Sequence, residues 1–150
     1  MSLQVQIDQD IKAAMLAKDA ARLRGLRAIK AALLVAKTEK GGSDSLSEDV
    51  EVKVLQRLVK QRKESADIYE AQNRDDLYQI ETEELAVIEA YLPKQLDSAA
   101  IEEFVKKAIV QTGASSMKDM GKVMGVVNAE LAGKADGKAI SDLVKTLLSQ

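Results

Sequence analysis

The chain has 150 residues, with 22 Lys and Arg against 24 Asp and Glu, a formal charge of −2, one Phe, three Tyr and no Trp, Cys or His. Without Cys or His it has no disulfides, no thiolate or imidazole metal ligands, and no Ser-His-Asp or Cys-His catalytic set. One Pro and eight Gly are too little punctuation for many short strands, so an all-α fold with an aliphatic core is predicted.

The first helix is predicted over Leu3–Lys18, with Leu3, Ile7, Ile11 and Met15 four apart and Ala14 beside them. Asp19 caps a second over Ala20–Lys37, which turns Leu23, Leu26, Ile29, Leu33 and Leu34 inward. The break between the two is slight, and one long kinked helix is the alternative. Gly41-Gly42-Ser43-Asp44-Ser45 reads as a loop. Ser47 caps a long third helix, whose Glu48 and Asp49 suit the positive end of the helix dipole. Val54, Leu58 and Ile68 mark one apolar face of it; Leu55, Val59, Ala66 and Tyr69 mark a neighbouring one. It ends near Ala71. Asn73-Arg74-Asp75 opens a fourth, carrying Leu77, Leu85, Ile88 and Leu92 with Val87 and Tyr91 beside them, until Pro93 stops it.

Pro93 to Asp97 is the predicted boundary. Residues 1–95 form an N-terminal helical bundle, and residues 96–150 a C-terminal three-helix domain. Asp97 caps the fifth helix, with Leu96 and Ile101 placed as a hydrophobic staple, and Gly113 ends it. Ser116 and Asp119 form a capping-box-like pair for the sixth, with Met117, Met120, Val123, Met124, Val127 and Leu131 inward. Asp136 caps the seventh, with Ile140, Leu143, Val144, Leu147 and Leu148 inside.

No apolar run approaches the roughly 20 residues that span a bilayer. Asp8 and Asp10 stand where a secretory leader would be basic and then apolar. A cytoplasmic protein that binds neither membrane nor metal is expected, and no cofactor is called for. Residues 1–40 carry eight basic side chains against four acidic, residues 41–96 seven against thirteen, and residues 97–150 seven of each. Polyanion binding must therefore come from a local patch, and be modest and salt-sensitive.

The best patch surrounds the two glycine-marked turns that launch the last helices. Lys118 and Lys122 flank one; Gly133-Lys134-Ala135-Asp136-Gly137-Lys138 makes the other. Helix starts present unpaired N–H groups and a positive dipole end. Lys118, Lys122, Lys134 and Lys138, with Gly133 and Gly137, are expected to hold backbone phosphate, the two turns bringing their lysines together on one outward surface. Asp136 opposes this in part, because a capping carboxylate occupies the anion position. Lys53, Arg57, Lys60 and Lys63 form a secondary basic ribbon on the third helix, tempered by i,i+4 pairing of Lys60 with Glu64 and Lys63 with Asp67.

Other constellations read as structure. Ser115, Ser116 and Lys118 are too close in sequence to converge as a Ser-Ser-Lys amidase set around an oxyanion hole. Met117, Met120 and Met124 read as adaptable core fillers. Glu81, Glu84, Glu102 and Glu103 read as acidic helix faces.

Four phrases carry a family resemblance: Lys60-Gln61-Arg62-Lys63-Glu64-Ser65; Glu89-Ala90-Tyr91-Leu92-Pro93-Lys94-Gln95-Leu96; the run from Gly113 through Met117-Lys118-Asp119-Met120-Gly121-Lys122 to Gly125; and Gly133-Lys134-Ala135-Asp136-Gly137-Lys138. In this order they resemble the YqeY family, kin to the tail domain of the B subunit of glutamine-dependent aspartyl/glutamyl-tRNA amidotransferase. The resemblance implies an N-terminal helical region and a C-terminal three-helix domain like that tail, which helps to hold tRNA. It implies a tRNA or a tRNA-handling enzyme complex as partner. Kinship adds a carbon–nitrogen ligase activity with glutamine as amide donor. The catalytic cradle and the amidase are separate pieces in the amidotransferase, so this chain is expected to position RNA rather than to catalyse. A protein-interaction adaptor that needs no RNA is the alternative.

Overall fold

The structure, a computed structural model, describes residues 2–39, 41 and 46–150. Residues 42–45 of the expected glycine-rich loop lie outside the described residues. Among the described residues the fold is all-α, with seven helices: α1 (Leu3–Leu16), α2 (Ala20–Glu39), α3 (Glu48–Ala71), α4 (Asp75–Glu89), α5 (Ser98–Thr112), α6 (Met120–Leu131) and α7 (Gly137–Leu148). A 3-10 turn, Met117–Asp119, precedes α6. None of these helices is long and apolar enough to cross a membrane. The chain divides into two compact units, Met1–Leu92 and Pro93–Gln150.

In the first unit α3 packs along α4, α1 along α2, and α2 against α4. Ile7, Leu26, Ile29, Leu55 and Ile88 are sealed inside it. The α1–α2 break is real. Lys18 adopts a left-handed φ of 55°, and the Asp19 carboxylate accepts the Arg22 N–H at 3.1 Å as a cap. The α1 start is closed from two sides: Ser2 Oγ accepts the Val5 N–H, and Glu51 Oε2 of α3 accepts the Leu3 N–H at 3.1 Å from 48 positions away. Burial pushes the Glu51 carboxyl above its ordinary range against the pull of the Leu3 amide.

Two contacts set the distance between α2 and its neighbour α4. Gly25 is buried, and a Cβ built there would lie 2.7 Å from Val87 Cβ and 2.8 Å from its Cγ1. Only a glycine lets the helices approach so closely. Arg24 and Glu83 then pair across the same contact at 2.7 Å.

Expected helix ends and faces differ in places. α4 stops at Glu89, four residues before Pro93, because Tyr91 N–H and Leu92 N–H turn back to Ile88 and Glu89 carbonyls in tighter i→i+3 bonds. Met15, Leu34, Ile68 and Met117 are exposed rather than inward. All but Leu34 lie within about one turn of a helix end, where a stripe of correct period runs past its partner helix.

In the second unit α5, α6 and α7 pack against one another around Val105, Val123, Val127, Ile140 and Val144. Asp97 caps α5 by accepting the Ala100 N–H at 2.8 Å, and Gly113 closes it in a left-handed conformation. Leu96 packs against this core.

Candidate nucleic-acid interface

The sixth helix begins differently from a simple capping box. Ser116 Oγ accepts the Lys118 N–H at 3.4 Å, while Asp119 Oδ2 accepts the Ser115 N–H at 3.0 Å. The backbone first winds as a 3-10 turn and becomes α-helical at Met120. Backbone N–H groups of Ser115 and Ser116, with the Lys122 charge nearby, hold the Asp119 carboxyl below the usual range. A depressed carboxyl contributes its stability above the ordinary carboxylate range and loses it as pH falls through the depressed value. This turn is thus formed at neutral pH and loosens in acid.

The seventh helix corrects an expectation. Asp136 has the extended backbone of a cap, and its carbonyl accepts the Ile140 N–H, but its carboxylate makes no capping hydrogen bond. The turn before it is held instead by a distant segment. Gly133 adopts φ 77°, a left-handed conformation suited to glycine. Gln95 Nε2 donates to the Gly133 carbonyl at 2.7 Å, and the Leu96 N–H donates to the Lys134 carbonyl at 2.9 Å.

Lys118, Lys122, Lys134 and Lys138 are all exposed, and none forms an ion pair with a described residue. Gly133 and Lys134 lie in the α6–α7 turn, and Gly137 and Lys138 open α7. The two lysine pairs do not share one cradle. Lys118 and Lys122 lie at the start of α6 and Lys134 beyond its end, so α6 separates them by on the order of 15 Å along its axis. They form two separate basic patches rather than one.

A groove of about 950 Å³ runs along α5 and α6, lined by Phe104, Lys122, Val126, Glu130 and two glycines, Gly121 and Gly125. A Cβ at either glycine would meet nothing within 4 Å. Packing inside the unit therefore does not require glycine there.

The ribbon on α3 belongs to the first unit. Lys53, Arg57 and Lys60 are exposed. Lys63 is paired with Glu89 of α4 at 3.6 Å, not with Asp67, and no Lys60–Glu64 ion pair forms. Arg62, in the same phrase, reaches into the fold: its Nε lies 3.3 Å from Glu84 Oε2, with side chains only 20% and 16% exposed. Sequence reasoning placed Tyr91 only beside the apolar stripe of the fourth helix. Its hydroxyl donates to Asp10 of α1, with the Arg22 guanidinium of α2 close by, tying α1 to the end of α4. Its position in a matching phrase was the available signal. Among the described residues no group of three or more acidic side chains is placed to hold a metal ion.

Among the described residues these features define an all-helical protein with a three-helix C-terminal unit bearing exposed lysines, in no ion pair, around two helix starts. The chain belongs to the YqeY-like protein family, whose family model matches residues 4–148. Two relatives are both named Altered inheritance of mitochondria protein 41, mitochondrial. That from Meyerozyma guilliermondii is 34% identical over 130 residues, covering 83% of this chain and 67% of the relative. That from Clavispora lusitaniae is 36% identical over 98 residues, covering 65% of this chain and 55% of the relative. Their names overturn the cytoplasmic expectation. It rested on the lack of a membrane-length apolar run and of a leader-like start, neither of which distinguishes the cytosol from another aqueous compartment.

Proposed function

We propose that this chain is a tRNA-positioning module, in which the C-terminal unit grips backbone phosphates through Lys118, Lys122, Lys134 and Lys138. The observation that carries the reading is that these four lysines are exposed, and in no ion pair with a described residue, at the two turns that launch α6 and α7. Kinship with the amidotransferase tail supports RNA as the polyanion. One Phe and three Tyr leave few stacking surfaces, so recognition works through phosphate contacts and shape. The relatives' names make mitochondrial tRNA the first substrate to test.

Titration with tRNA at two salt concentrations tests this. Four phosphate contacts weaken binding by roughly 50- to 150-fold between about 50 and 200 mM salt. Replacing the four lysines by alanine flattens that slope. Absence of binding at about 50 mM, or an unchanged slope in the four-lysine variant, counts against the reading.

The open glycines supply a second test. A mid-helix glycine is about 0.8–1 kcal/mol worse than alanine, and the space at Gly125 admits a methyl group. Gly125→Ala is expected to raise the unfolding free energy of the second unit by about 0.5–1 kcal/mol in urea. On this reading it also weakens tRNA binding, because the groove floor no longer admits close approach. A variant that is more stable and binds tRNA unchanged removes the groove from the interface.

A further inference from the structure

Pro93 to Leu96 is more than a connection. Gln95 spends both of its amide hydrogens on carbonyls, Pro93 at 2.8 Å and Gly133 at 2.7 Å, and the Leu96 N–H adds the bond to Lys134. This register places Lys94 at the α6–α7 turn, although it lies about forty positions earlier. Two residues span at most about 7 Å, so the Lys94 backbone stays within that distance of the bonded Leu96. Its flexible stem then serves the same end of the unit as Lys134 and Lys138. Lys94, Lys134 and Lys138 are exposed, and none is in an ion pair with a described residue. Two carboxylates lie in the participating segments. Asp97 is engaged by the Ala100 N–H, and Asp136 stands in the turn itself without a capping bond or an ion pair.

We infer that Lys94 joins Lys134 and Lys138 in a single phosphate-binding site, assembled by the hydrogen bonds of Gln95 and Leu96 to the α6–α7 turn. Three ammonium groups outweigh the two carboxylates of these segments, one of them turned to the Ala100 N–H, and suit a phosphate group, either free or in a nucleic-acid backbone. The choice of RNA as its source rests on the function proposed above; the phosphate site does not. Lys94 binds, and Gln95 positions.

Full-length isotope-labelled protein is titrated with inorganic pyrophosphate and, separately, with tRNA, while backbone amide resonances are followed. Both probes are expected to shift the amides of Lys94, Gln95, Lys134 and Lys138. Lys94→Ala weakens each by roughly 3- to 10-fold and lowers the tRNA salt slope by about 1, with no change in thermal unfolding. Lys94→Arg retains binding. Pyrophosphate shifts without tRNA binding support the site and retire the RNA reading. Binding of tRNA that is indifferent to Lys94→Ala, or pyrophosphate shifts confined to other residues, overturns the inference and leaves the RNA reading standing.

Discussion

Gly25→Ala is expected to destabilise the first unit by about 1–3 kcal/mol, the opposite sign to Gly125→Ala. Both glycines are helical, and propensity alone favours alanine at each by about 0.8–1 kcal/mol. At Gly25 the new methyl group would lie 2.7 Å from Val87 Cβ. No rotation of Val87 relieves this, because a Cβ does not move with χ1. α2 and α4 must separate, loosening Leu26, Ile29 and Ile88, which are sealed from solvent. Trimming Val87 to alanine removes its Cγ atoms but leaves the closest atom in place, so Gly25→Ala/Val87→Ala recovers only part of the loss. Urea denaturation of the three variants is the measurement. Stability at or above that of the unaltered protein would show that the two helices do not meet as described.

Arg62→Ala is expected to cost about 2–3 kcal/mol, between the values for exposed and fully buried pairs. Arg62 and Glu84 are mostly covered, and Arg62 Nε touches Glu84 Oε2 at 3.3 Å as a charge contact without well-aligned hydrogen-bond geometry. Removing the guanidinium leaves the carboxylate of α4 largely covered and without that counter-charge. Replacing both residues by leucine should return much of the loss, since an apolar pair needs no counter-charge. Affinity for tRNA, measured well below the unfolding temperature, should not change. A stability loss under about 0.5 kcal/mol, as for an exposed pair, would contradict this account. A selective loss of RNA binding would move Arg62 from the scaffold to the interface.

The helices were legible because their signals are local. Ser47 and Asp97 cap through atoms three residues away, and Gly113 needs only its own backbone freedom. The sealed residues Ile7, Leu26, Ile29 and Ile88 follow from helical spacing. What the spacing could not reveal was non-local. Glu51 closing α1, Arg62 meeting Glu84 and Gln95 holding Gly133 each depend on which helices become neighbours. The lysines of the candidate interface were visible as residue types beside glycines. Their separation along α6 was not, because adjacency of motifs on the page gives no distance between turns. Asp136 shows the same limit: a residue with the right identity and backbone for a cap leaves its carboxylate uncommitted.

The reach of Glu51 to Leu3 has a consequence for the order of assembly. A 14-residue helix in isolation sits near the limit of stability in water. A polypeptide grows from its amino end, so the opening helix is made long before the carboxylate that completes it. Packing along α2 can hold it earlier, but the Leu3 N–H gains its partner only when the third helix has left the ribosome. The Leu3 end of α1 is therefore completed only once α3 has been made.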